Sequence, residues 1–472
     1  MAASDASLTR YFGRGAPELF RRLREPADLG GEAGVTRYLY DLWLRRPDLR
    51  SAYPDLEGAD GRGLLEWGYR SGVPGAYDEL PIPPLLLPER AGVVEPEALA
   101  ARAGRRRRGE AGVNVFGLLG SATGIGELGR AAVAALGAAG VPSVALDVER
   151  LDPAVDPRAR FETNLVCLNP GAHWALVRDS KALPGDLHTI GLWSWEIADT
   201  LAIEWRFGFR LVDEIWTTSE HAASAIRPIA PVPVVTVPAA IEPAPGRRRA
   251  RGELGLPPGF LFLSFFDYDS MVERKNPLAA IEAFRKAFRP GSGVALVLKS
   301  TNAARHPAQR AILEAAAAAH ADVHLIDRLD SEGDKNAVLA ACDCYVSLHR
   351  AEGFGLVLAE AMYLQRPVIS TGYSGNLEFM SDRNSYLVDH SVVAIGPEAR
   401  VYYPGDGRWA EPDVEHAAAL MRRVAEHPDE AAGRARLAAE DIRRGFSREA
   451  AGRALAARLS RQPAAEQAVV RS

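Results

Sequence analysis

The spacing of apolar positions along the chain changes character near residue 113. Before it, LTRYFGRGAPELFRRLRE and GVTRYLYDLWLRRPDLRSAY place apolar residues three and four apart, which predicts amphipathic helices. Pro-rich turns interrupt this leader, and PIPPLLLPER closes it before a linker, ARAGRRRRGEAG, at 101–112. From 113 onward, short runs that are apolar almost throughout alternate with helical patterns. The first series is VNVFGLLG (113–120), PSVALDV (142–148), NLVCLN (164–169), HTIGLWSW (188–195), EIWTTS (214–219) and PVVTVPAA (233–240). The helix GELGRAAVAALGAAG (126–140) ends at a glycine, and Ser219 stands as an N-cap before EHAASAIRPI.

A second series starts near 259. Its runs are FLFLSFFDY (260–268), GVALVLKS (293–300), ADVHLIDR (321–328), DCYVSLH (343–349), RPVISTG (366–372) and NSYLVDH (384–390). Strands without polar alternation, separated by helices, predict parallel sheets covered on both faces. Two such series predict an α/β protein of two Rossmann-like halves, with EPAPGRRRARGELGLPPG (242–259) as the hinge. The expected organisation is a helical extension and basic linker over 1–110, a first half over 111–245, a second over 246–430, and C-terminal helices over 431–472 able to cross back to the first. No strand is expected after 411.

Composition narrows the function. At about 150 residues per domain, 472 residues suggest two or three domains. Hydrophobic residues make up 47% and the net charge is −5, so no global basic field recruits nucleic acid. The run Arg105–Arg108 reads as a solvated linker, with acidic lipid headgroups as the alternative ligand. Three cysteines, Cys167, Cys342 and Cys344, form no disulfide framework and favour a reducing compartment. MAASDASLTR lacks the charged and apolar regions of a signal peptide, and no apolar run is long enough to span a bilayer. A cytoplasmic protein is expected, with peripheral contact at the inner membrane face left open, as is its oligomeric state.

Gly124, Gly126 and Gly129 spell GxGxxG, and Asp147 ends the following strand. In the dinucleotide fingerprint the first glycine closes the strand. Here Gly120-Ser121-Ala122-Thr123 intervenes, so the tight turn is missing. What remains is a glycine loop at a helix N-terminus, suited to an anion, beside the plain reading of a βα turn.

The segment His349-Arg350-Ala351-Glu352-Gly353-Phe354-Gly355-Leu356-Val357-Leu358-Ala359-Glu360 carries more. Glu352 lies past the carboxyl end of a strand, where ligands of open α/β sheets gather. The amides of Gly355, Leu356 and Val357 open a helix and suit a diphosphate. Glu360 falls in a stretch apolar all round, so it needs a partner: ribose hydroxyls, an internal cation or a backbone donor. Glu273-Arg274-Lys275-Asn276-Pro277 precedes a helix, with Asn276 as expected N-cap and Pro277 at N1. Arg274 and Lys275 there could neutralise a leaving phosphate, as could Lys299 at the end of its strand.

These motifs resemble those of the family 4 retaining glycosyltransferases. Glu352 and Glu360 match the family's E-x7-E motif, and the likeness extends over RPVISTGYSGNLEFMSDRNSYLV (366–388), ERKNP (273–277), the WSWE strand and the 113–135 loop. The resemblance implies a GT-B fold, with an acceptor-side first half and a second half that binds the nucleotide sugar. It implies a hexose moved from a UDP- or GDP-linked donor to a hydroxyl of a glycan, lipid-linked or small-molecule acceptor, with no cofactor and no bound metal. Glu352 would contact the donor sugar near the reacting carbon, Glu360 the ribose, and the amides of Phe354, Gly355, Leu356 and Val357 the diphosphate. Lys275 matches the family's phosphate lysine. The family's Arg after the preceding strand is replaced by Asp267-Tyr268-Asp269, which leaves Arg274 as its substitute. Gly124 and Gly126 would face the donor. On the acceptor side, many members carry a His where this chain reads WSWE, so Trp195 and Glu196 are the candidates, Trp195 equally as core. A catalytically silent sugar-nucleotide binder and a GT-B-like epimerase remain as rival readings.

Overall fold

All twelve apolar runs become strands; the central ones are buried nearly throughout, whereas Ser143–Asp147, Val234–Thr236 and Val323–Asp327, toward the sheet edges, are only partly covered. The structure, a computed structural model, describes residues 13–27, 35–58, 60–71, 110–151, 158–179, 187–243, 249–328, 331–396, 399, 402–403 and 407–461. The arginine run 105–108 and residues 244–248 of the expected hinge lie outside them.

Strands β1 (Glu110–Gly117), β2 (Ser143–Asp147), β3 (Phe161–Cys167), β4 (His188–Leu192), β5 (Glu214–Thr217) and β6 (Val234–Thr236) form one sheet in the order β2-β1-β3-β4-β5-β6. Strands β7 (Phe260–Asp267), β8 (Val294–Thr301), β9 (Val323–Asp327), β10 (Cys344–Ser347), β11 (Val368–Thr371) and β12 (Tyr386–Val388) form the other, in the order β12-β11-β10-β7-β8-β9. Every pairing in both sheets is parallel. Strand order reverses between β1 and β3 in the first sheet and between β7 and β10 in the second. Such switch points, at the carboxyl ends of the strands, are where this architecture opens a crevice. The carboxyl-end loops of the two sheets meet: Ser219, just past β5, donates its hydroxyl to the carbonyl of Gly353, just past β10.

Two features complete the molecule. The last helix, Arg448–Leu459, lies against helix Gly124–Ala138 of the first half, so closely that a Cβ on Gly452 would strike the Ala135 carbonyl. A hairpin of β13 (His390–Ala394) and β14 (Arg408–Pro412) pairs antiparallel after the second sheet. The sequence pattern did not disclose it, because most of β13 is exposed and has no buried alternate face to read. Its apolar residues Tyr403 and Trp409 instead join a cluster with Trp195 and Trp205 of the first half.

The leader forms helices Ala16–Arg24, Arg37–Arg45, Pro47–Ala52 and Asp60–Ser71. They enclose a small core of Phe20, Tyr38, Leu39, Leu42, Leu49 and Leu64 that reaches Phe207 of the first half. The Phe20 and Phe207 rings meet edge-on at 6.0 Å, and the Arg206 guanidinium donates to the Arg14 carbonyl at 2.9 Å. Among the described residues, no helix is long and apolar enough to cross a membrane.

Candidate active site

The cations expected after β7 sit on a one-turn helix of their own, Val272–Lys275. Met271 before it and Asn276 after it take φ of 65° and 53°, the left-handed region that non-glycine residues avoid. Each such residue costs on the order of 1–3 kcal/mol, and such strain gathers where geometry matters. Asn276 occupies the expected N-cap position of helix Pro277–Ala287, with Pro277 starting the helix, but its left-handed backbone leaves it without a side-chain capping bond. Arg274 and Lys275 are delivered by the strained turn rather than by a helix N-terminus.

Both cations converge on Glu352, across the switch point between β7 and β10. Lys275 Nζ bonds Glu352 Oε1, and Arg274 stands 3.3 Å from Glu352 Oε2. Arg274 also donates to the carbonyls of Ala351 at 2.8 Å and Ser270 at 3.0 Å. Its other terminal nitrogen lies 3.9 Å from Glu196 of the first half, whose carboxylate accepts from the Tyr403 hydroxyl at 3.3 Å. Burying an ion costs several kcal/mol unless partners compensate, and here they do. Burial alone would raise the Glu352 carboxyl, but Lys275 and then Arg274 outweigh it and hold it near about 2. Burial draws the Lys275 ammonium below the usual lysine range; Glu352 opposes that and Arg274 adds to it.

The loop after β11 positions Glu352 from the other side. The Glu352 amide donates to the Ser374 hydroxyl at 2.8 Å, and the Gly375 amide returns a bond to the Glu352 carbonyl at 2.9 Å. Ser374 has φ 79°, and a Cβ on Gly375 would collide with the Gly353 carbonyl. His349, fully buried below, meets Ser347 at 3.1 Å and Asn376 at 3.2 Å. Burial pushes its imidazole down to about 4, so it is a neutral part of the frame.

Gly355, at φ 91°, turns the chain into helix Leu356–Tyr363, whose first amides therefore open beside Glu352. Phe354 packs its ring on Phe379 at 5.0 Å and Phe446 at 5.8 Å, which anchors the loop and withdraws the ring from the cleft. One turn along, Glu360 has the internal cation its surroundings demanded. Lys335 Nζ lies 2.9 and 3.0 Å from its two oxygens, and 2.8 Å from Glu127 of the first half. Burial works against the Lys335 ammonium, but Glu360 and Glu127 raise it above its ordinary value.

Other candidates scatter. Gly124 opens helix Gly124–Ala138 opposite Leu356, the nearest atom to an added Cβ at 3.9 Å. Gly126 is a glycine for local reasons, since a Cβ there would press on the Leu118 and Ser121 carbonyls. Lys299 is turned to the carbonyls of Ser300 and Arg328. Trp195 is core: it is buried, bonds the Thr200 carbonyl at 2.9 Å, and packs on Trp205 at 4.7 Å and Tyr403 at 5.5 Å. Asp267 and Asp269 form an Asp-x-Asp at the end of β7, with Asn302 on the first at 2.7 Å and Arg305 and His306 on the second. Among the described residues no group of three or more His, Cys, Asp or Glu could hold a metal ion. All three cysteines are buried, which raises their thiols.

Sequence reasoning did not find Lys335, Glu127 or Tyr403, and it gave no role to His349 or Ser374, which lie inside segments it did single out. Ser374 lies within the segment that resembled the family, which was a usable signal. Lys335 and Glu127 are 208 positions apart, and only the assembled halves bring them together.

Anabaena HepE, in complex with UDP and glucose, superposes at a TM-score of 0.53 with 13% identity, over 74% of this chain and 100% of its own. Sucrose-phosphate synthase from Thermosynechococcus elongatus gives 0.53 with 16% identity, over 75% of this chain and 99% of its own. S. aureus TarM gives 0.46 with 12% identity over 63% of this chain, which spans 55% of TarM. No protein with a curated description matches the sequence. The first two likenesses establish the GT-B fold. The profile of the "Family 4 Glycosyltransferase in conflict systems" matches residues 208–455, more than half of the 472, and the chain belongs to that family of glycosyltransferases.

Proposed function

We propose that the protein transfers a hexose with retention of configuration from a nucleotide-diphosphate sugar, UDP- or GDP-linked, to a hydroxyl acceptor, without a bound metal. The observation that supports this most is the convergence of Lys275 and Arg274 on Glu352, at a strand-order switch point and beside the helix opened by Gly355. When the bond from the anomeric carbon to the diphosphate breaks, negative charge grows on the leaving phosphate. Lys275, Arg274 and the amides of Gly355, Leu356 and Val357 are fixed donors for that charge, and donors already oriented need no reorganisation. The acceptor hydroxyl forms its bond from the face the phosphate leaves, and its proton passes to a phosphate oxygen. Glu352 stabilises positive charge at the sugar, and Glu360 holds the ribose. Glu196 is the acceptor-side carboxylate; the Trp195 ring is withdrawn from that role by its burial. HepE's complex with UDP and glucose is consistent with a UDP-linked hexose donor.

A panel of UDP-, GDP-, ADP- and dTDP-sugars, with and without EDTA, tests this by thermal shift and slow donor hydrolysis. One donor should raise the melting point, by about 2.7 kcal/mol of stabilisation at 100 times its dissociation constant. It should also be hydrolysed in EDTA with its anomeric configuration kept. Binding without turnover, with every acceptor tried, would leave the silent binder; loss of turnover in EDTA would overturn metal independence.

A further inference from the structure

Lys335 belongs to no motif that pointed to this family, yet it joins a carboxylate of the first half to one of the second. It lies on helix Glu332–Ala341, whose start is fixed by the Ser331 hydroxyl accepting from the Asp334 amide at 3.1 Å. Its ammonium meets two carboxylates, one from each half. Side-chain exposure is 18% for Lys335, 19% for Glu127 and 11% for Glu360, so three charges share a space largely shielded from water. A bridge that served stability alone would need one carboxylate, because each further buried ion adds its own desolvation cost. A carboxylate oxygen can accept more than one hydrogen bond, so a ribose hydroxyl can be bound by Glu360 while Lys335 keeps it oriented.

We propose that Lys335 is the positioning residue that sets Glu360 for the ribose and, through Glu127, ties that hold to the first half. This rests on the reading of Glu360 as the ribose carboxylate. Nucleotide binding then stiffens helix Gly124–Ala138, whose first turn carries Glu127.

Calorimetry with UDP, GDP and ADP, and with their 2′- and 3′-deoxy counterparts, separates the two ideas. The wild-type protein should prefer the ribonucleotide that binds best over a deoxy form by about tenfold, the effect of one good hydrogen bond to a charged group. Lys335→Met should abolish most of that preference, and Lys335→Arg should restore it. A wild-type protein indifferent to the ribose hydroxyls would overturn the Glu360 reading. A preference intact in folded Lys335→Met would overturn the role of Lys335 alone. Glu127→Gln covers the case in which Lys335→Met does not fold: it should retain the preference but lose the slowing of hydrogen exchange that nucleotide brings to helix Gly124–Ala138. Slowing that persists in Glu127→Gln, or is missing from the wild-type protein, would sink the tie between the halves.

Discussion

At the scale of single residues, Glu352 concentrates the chemistry. Glu352→Gln keeps the shape but leaves Arg274 and Lys275 with one fewer anion. Removing one partner from a buried pair costs about 3 kcal/mol or more at neutral pH. A depressed carboxyl contributes stability that is present above its ordinary value of 4.5 and is lost as pH falls towards about 2. The gap between wild type and Glu352→Gln in urea unfolding should therefore close progressively from about pH 4.5 downward; a gap constant across that window would contradict the ion pair. Transfer should fall by about 10²–10³-fold, the size of one lost electrostatic stabiliser. Glu352, Glu360 and Lys275 were singled out in the sequence by their places near strand and helix ends together with the resemblance to the family's motifs. The roles of Trp195 and Lys299 could not. An aromatic at a strand end serves a sugar or a core equally well, and only the Trp205 and Tyr403 rings around Trp195 decide it.

At the scale of elements, the strands were legible and the turns that aim the side chains were not. A parallel strand buried on both faces must be apolar throughout, so the central strands left a strong signature, and the half-covered edge strands β2, β6 and β9 kept enough apolar residues to be read. Hairpin β13–β14 left none, because its partner face is a tryptophan cluster in the other half. The turn at Ser374-Gly375-Asn376 shows how much rests on unpatterned residues. A Cβ at Gly375 meets backbone, which cannot give way cheaply, so Gly375→Ala must push the turn away from Glu352. Forcing atoms into a packed place typically costs about 1–3 kcal/mol. The variant should melt earlier and lose transfer more than a stability-matched control. Gly433→Ala provides the contrast: it lies within helix Pro428–Gly445, with only the far end of the Arg436 side chain within reach of an added Cβ, and should be stabilising by about 0.5–1 kcal/mol.

At the scale of the whole molecule, the chain order and the packing order differ. Residues beyond 413 follow the second sheet in the chain, yet the last helix is built into the first half. Arg458 on that helix bonds Glu214 of β5 at 2.6 Å, and Glu214, nearly sealed from water, also accepts from the Trp216 indole at 2.5 Å. Arg458→Met leaves that carboxylate buried with an indole as its one remaining partner among the bonds described. Stranding a buried charge costs about 3–5 kcal/mol, whereas replacing both members of a pair is often close to neutral. The double variant Arg458→Met with Glu214→Gln, which keeps an acceptor for Trp216, should therefore recover most of the loss. Hydrogen exchange locates the effect. Arg458→Met should speed exchange in helix Gly124–Ala138 and strands β4 to β6, while β7 to β10 stay protected. Equal loosening of both sheets would mean that the last helix braces the junction between the halves instead of completing the first one.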